Sequence, residues 1–163
     1  MGWGERPREI QTLFNPAFVG ALVREGARGH LEQRAPLGLP YPLAFLLVPL
    51  VLNRRTRSML PRTVRTSLGA WLPAHPLARE LLAIHARDLS PLVREAVAFG
   101  LQAGVLELGE EADLHPAALL GSRGSVSSTT DVTDSLSKAF FAGRWFARAG
   151  SPATVYALWG VRP

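Results

Sequence analysis

Five guanidinium groups lie within a short stretch at Arg54, Arg55, Arg57, Arg62 and Arg65, and they are the residues here whose type and spacing could do chemistry. A guanidinium is always charged and presents a planar fork of donors that matches phosphate or carboxylate, so the chemistry is anion binding. The alternative role is quieter: cations that neutralise the C-terminal end of a helix dipole, with the rest solvated. No aromatic residue interleaves the cluster, so stacking on single-stranded bases is not indicated, and duplex backbone or protein carboxylates fit better. Catalytic patterns are lacking. His30, His75, His85 and His115 form no close metal-ligand pair, no phosphate-cradling Gly-x-x-x-x-Gly-Lys loop exists, and Ser135-Leu136-Ser137-Lys138 lacks the companion motifs of a serine acylase. Glu110 and Glu111 sit in a predicted turn with no apolar pocket to raise either pKa. With no cysteine there is no disulfide and no thiolate nucleophile. The chain reads as non-enzymatic, without cofactor or metal.

The element that must position the arginines precedes them directly. Leu39 to Leu52 carries no charge and runs straight into Asn53-Arg54-Arg55-Thr56-Arg57. From Gln33 to Arg79 there are seven arginines and no acid, leaving eleven basic against thirteen acidic residues elsewhere, so the formal net charge of +5 is local to this segment. A helix over the apolar run reaches about 21 Å, short of a hydrocarbon core of roughly 30 Å, and Pro40, Pro42 and Pro49 interrupt it. It is expected to be a core helix, entered through Pro42 and bent near Pro49, rather than a membrane anchor. No apolar leader opens the sequence, which gives cytoplasmic residence as the default.

The 163 residues suit one domain, and 47% hydrophobic against 19% charged residues argues for a packed core with some apolar surface meeting a partner. Asn15-Pro16 predicts a helix start, with Val19 and Leu22 facing inward and the helix fading between Gly26 and Gly29. A short helix is expected over Thr63–Leu72, stopped by Pro73. Two amphipathic helices should follow from Pro76, the second capped by Ser90-Pro91 and ended by Gly104. Val105 to Leu114 then reads as a short strand, a turn and a second strand. Helix, helix, hairpin is the outline of a winged-helix-like unit over about 76–115, although the acidic hairpin suits a DNA groove poorly. The expected fold class is mainly α with a small β-hairpin, a helical core over 1–120. A Ser/Gly/Thr-rich linker over 121–133 should lead to aromatic helices over 134–163. Phe140, Trp145, Tyr156 and Trp159 are the bulky side chains expected there to pack on the core or on a partner.

Several short motifs stand in order along the chain. Asn15-Pro16-Ala17-Phe18, the run from Leu43 to Leu52 leading into Arg55-Thr56-Arg57, and Leu60-Pro61-Arg62-Thr63 come first. Gly143-Arg144-Trp145-Phe146 and Gly150-Ser151-Pro152-Ala153-Thr154-Val155-Tyr156 close the chain. From about Asn15 to Pro163 the chain resembles the middle component of three-component ABC-type conflict systems, a group close to the small subunit of Lamassu-type anti-phage defence. The resemblance implies a non-enzymatic adaptor beside an SMC-like ABC ATPase and an effector, often a nuclease. Double-stranded DNA would be a further partner reached through the complex. It assigns no catalytic residue and no ligand to Arg55-Thr56-Arg57. The alternative reading is an independent winged-helix regulator that binds duplex DNA through the basic segment 54–65.

Overall fold

A computed structural model of the chain describes residues 14–117 and 129–162. The described chain is mainly helical with a small antiparallel sheet. Helix α1 spans Pro16–Arg34, strand β1 Leu39–Pro40, α2 Tyr41–Leu52, α3 Arg54–Met59, α4 Leu68–Trp71 and α5 Pro76–Gln102. Strands β2 (Leu106–Leu108) and β3 (Asp113–Pro116) form the expected hairpin, and α6 (Thr130–Ala149) and α7 (Pro152–Trp159) complete the fold. The expected linker residues 121–128 lie outside the described part, and α6 begins at Thr130, ahead of the anticipated start at Asp134.

Helix α2 is the centre. Leu43, Ala44, Leu46, Leu47, Val48, Leu50 and Val51 are all fully buried, because the helix is apolar on every side and α1, α5, α6 and α7 pack around it. Pro49 lies inside this helix without ending it. The α2 core also gathers Val19, Leu22 and Val23 from α1 with Leu82, Val93 and Ala96 from α5.

Three boundaries differ from expectation, each because packing outweighs a local signal. Asn15 caps α1 as anticipated, its side chain accepting from the Ala17 amide at 2.9 Å, but the helix continues through Gly26 and Gly29 to Arg34. Those glycines are where α6 crosses. Ser90-Pro91 starts no new helix: α5 is one helix of 27 residues. Pro91 is exposed, and Ala78, Leu82, Val93, Ala96, Val97 and Gly100 keep one buried stripe on both sides of it. Of the expected Thr63–Leu72 helix only Leu68–Trp71 forms, capped by Ser67, with Pro73 in the 3-10 turn that follows.

The sheet has a third member absent from the expectation. β1 pairs antiparallel with β3, Leu39 opposite Leu114, giving the order β1-β3-β2. Two residues of strand carry no readable periodicity. Asp113 anchors the arrangement. Its buried carboxylate accepts from the Gly38 amide at 2.8 Å and pairs with His115 Nε2 at 2.6 Å. Asp113 and His115 are therefore structural partners within the hairpin.

Two buried titratable groups make the fold sensitive to acid. Burial pushes the His30 pKa below 6.5 because a charged ring would lose its hydration inside the fold, and the bond from Nδ1–H to the Leu37 carbonyl, which favours the charged ring, offsets this only in part. For Asp113 burial works to raise the pKa, but the hydrogen bonds from Gly38 and His115 overcome it and hold the carboxyl below 3.8. Both groups bind protons more readily in the unfolded chain, so stability falls with falling pH. For His30 the loss begins as pH drops through 6.5, and for Asp113 it begins below 3.8. Melting curves across that range should shift steadily downward, and His30→Gln, which cannot take up a proton, should flatten the upper part of the dependence.

Candidate partner-binding site

The arginine cluster divides into one buried and four exposed members. Asn53 ends α2 and caps α3, its side-chain oxygen accepting from the amides of Arg55 and Thr56, so the chain turns sharply after the apolar helix. The turn places two side chains against the orphan carbonyls at the end of α2. Thr56 Oγ1 donates to the Leu50 carbonyl at 2.7 Å, and Arg57 Nη1 donates to the Val51 carbonyl at 2.8 Å. Arg57 is only 2% exposed. Its Nε donates to Asp134 at 2.7 Å and its Nη2 to Asp131, both on the first turns of α6. Arg57 is thus a strut between the end of α2 and the start of α6, and it leaves the set of residues able to touch DNA or a partner. The helix-end role anticipated for the cluster belongs to this residue.

Arg54, Arg55, Arg62 and Arg65 are exposed, and no carboxylate among the described residues pairs with them. Arg54 and Arg55 stand on α3, directly after the central helix, and Arg62 and Arg65 lie in the loop between α3 and α4.

The aromatic residues have found their partner in this chain. Trp145 and Trp159 are each 1% exposed, and Tyr156 is buried. Trp71 makes an edge contact with Trp145 at 5.3 Å and with Trp159 at 6.1 Å between ring centroids. Trp145 Nε1 donates to the Thr66 carbonyl at 2.7 Å, tying the loop that carries Arg62 and Arg65 to α6. The Tyr156 hydroxyl donates to the Pro42 carbonyl at 2.7 Å, locking α7 onto the start of α2, and burial pushes its pKa up to about 12. Phe140 is half-buried on α6, beneath the guanidinium of Arg28 at 4.9 Å. These side chains hold the C-terminal helices on the core.

A second basic feature was not singled out in the sequence. Between α2, α5 and the last turn of the chain lies a groove of about 730 Å³, floored by Tyr41, Phe45, Ala83 and Ala86 and framed by Arg87, Arg94 and Arg162. The signal was present as Ala83, Arg87, Ser90 and Arg94, which repeat at helical spacing along one side of α5. Splitting α5 at Ser90 hid it. Among the described residues no group of three His, Asp or Glu side chains is placed to hold a metal ion.

No curated protein and no solved structure matches the chain significantly. A family model does match, and over almost the whole length, from residue 3 to residue 163. The chain therefore belongs to the family of ABC-three component (ABC-3C) system Middle Component 3.

Proposed function

We propose that the chain is a non-enzymatic adaptor of a bacterial anti-phage complex, close to the small subunit of Lamassu-type systems, that bridges an SMC-like ABC ATPase and a nuclease-type effector in the cytoplasm. The observation that carries this reading is membership, across residues 3–163, of a family defined as the middle component of a three-component system. The architecture supports it in physical terms. An adaptor that relays movement from an ATPase must not absorb that movement, and close-packed interiors are nearly incompressible. Here most of the central helix is buried, at Leu43, Ala44 and from Leu46 to Val51, and its two ends are fastened, by Tyr156 at Pro42 and by Arg57 at Val51. When the ATPase meets foreign or broken DNA and changes shape, a body of this kind passes the displacement to the effector and releases it. Co-expression of the tagged chain with the ATPase and effector encoded beside it should yield one ternary peak on gel filtration. A chain that elutes alone, with both other components present and folded, contradicts the proposal.

A second reading is favoured by one observation, the four exposed arginines at 54, 55, 62 and 65 without acidic partners. They suit duplex phosphate, as a winged-helix-like DNA-binding regulator requires. On this reading the isolated chain binds duplex with an affinity that falls steeply with salt, and Arg54→Glu with Arg55→Glu reduces both affinity and salt slope.

A further inference from the structure

The groove beside α2 has the chemistry of a receptor for an acidic protein segment. Its lining contains three arginines and neither Asp nor Glu, while the floor is aromatic and aliphatic. Arg87 and Arg162 are exposed and without ion-pair partners among the described residues, and Arg94 stands over the Phe45 ring at 6.0 Å. Tyr41 and Phe45 meet edge to face at 5.2 Å and make the aromatic side of the floor. Ala83 and Ala86 supply its α5 side, and their small size leaves the trough open there. From Ala83 to Arg94 the helix rises about 16 Å, the length of roughly three helical turns of a docked segment. The volume of about 730 Å³ accommodates bulky apolar side chains rather than water alone.

Building on the adaptor reading, we infer that this groove binds an acidic segment of another component of the system, one that places a leucine or aromatic side chain on the Tyr41–Phe45–Ala83 floor and its flanking carboxylates on Arg87, Arg94 and Arg162. Each part of the site selects for this occupant. Carboxylates alone gain little from exposed guanidiniums in water, and an apolar side chain alone would leave the arginines unused. Duplex nucleic acid is the poorer fit, because its bases are stacked inside the helix and its anionic exterior carries no apolar group to cover the floor. Guanidinium forks take carboxylates two oxygens at a time, which fixes the direction of the segment in the trough.

The test uses the full-length, isotope-labelled chain and a synthetic peptide in which Leu and Phe are flanked by Asp and Glu, with the Asn/Gln analogue as its uncharged counterpart. The acidic peptide should shift the amide signals of Tyr41, Phe45, Ala83, Ala86 and Val161, and the analogue should not. Arg87→Glu with Arg94→Glu should weaken binding about tenfold or more, with an unchanged melting temperature because neither side chain is buried. Ala83→Trp, filling the trough from an exposed position, should abolish binding while keeping all three arginines. Equal binding of the uncharged analogue, shifts confined to Arg54–Arg65, or duplex DNA moving the same groove signals would each overturn the inference. If the wild-type chain captures both other components and the double charge reversal captures them equally well, the groove assignment fails and the adaptor reading stands. If the wild-type chain captures neither, the adaptor reading falls, and with it the occupant assigned to the groove.

Discussion

Gly143→Ala should destabilise the fold by about 3 kcal/mol or more, making it among the most damaging additions of a single methyl group available in this chain. The reason lies where α1 crosses α6. A Cβ at Gly143 falls onto the carbonyl oxygen of Gly26 and within 3.0 Å of its Cα, and a Cβ at Gly29 falls onto the carbonyl oxygen of Phe140. Both obstacles are backbone of packed helices, so nothing can rotate aside. The helices must separate instead, which loosens the most extensive interface of the fold and the α2 core beneath it. Gly26→Ala is the informative contrast. The added carbon meets the end of the Leu47 side chain, which can shift, so a smaller loss is expected. Gly69→Ala, with its nearest neighbour an ordinary 3.8 Å away at Leu158, should leave stability unchanged or raise it slightly through better helix propensity. Thermal melts of the four proteins should rank Gly69→Ala at or above wild type, then Gly26→Ala, then Gly143→Ala.

Arg57→Ala should cost about 3 kcal/mol, although its neighbours Arg54 and Arg55 can be replaced almost without effect. The guanidinium is 2% exposed and makes three bonds at once, to Val51, Asp131 and Asp134. Removal leaves the Val51 carbonyl without its donor and a void under α6. The two carboxylates do not add their full desolvation penalty, because their side chains are 61% and 48% exposed and recover water. Arg57→Lys should restore only part of the loss, since an ammonium lacks the planar fork that reaches a carbonyl and two carboxylates together. Denaturant unfolding of Arg57→Ala, Arg57→Lys and Arg54→Ala separates these outcomes. Equal stability of Arg57→Ala and Arg54→Ala would mean that Arg57 is no strut.

The sequence made the central helix legible because its information is compositional: an uncharged run too short for a bilayer has only the core to enter. The caps at Asn15 and Ser151 and the left-handed glycine at Gly160 were equally readable, since each satisfies its own helix end locally. The arginine cluster was visible as charge but not as geometry. Which member turns inward depends on Asp131 and Asp134, more than seventy residues away and in part assigned to a linker. The same limit concealed the groove, whose two long walls come from α2 and α5 and whose third arginine comes from the chain's end. Pro91 and the glycines of α1 misled for one physical reason. Each is a helix breaker in isolation, and each is tolerated because tertiary contacts require an unbroken helix at that point.

Hydrogen exchange on the isolated chain and on the reconstituted three-component complex tests the adaptor role most directly. A preformed rigid adaptor predicts that the α2 amides from Leu43 to Val51 exchange slowly in both states. New protection on assembly should then fall on surface elements, at the exposed arginines of 54–65 and along the groove face of α5. Fast exchange of α2 in the free chain, with protection there gained only in the complex, would contradict the claim, as would an exchange pattern that the other components leave unchanged.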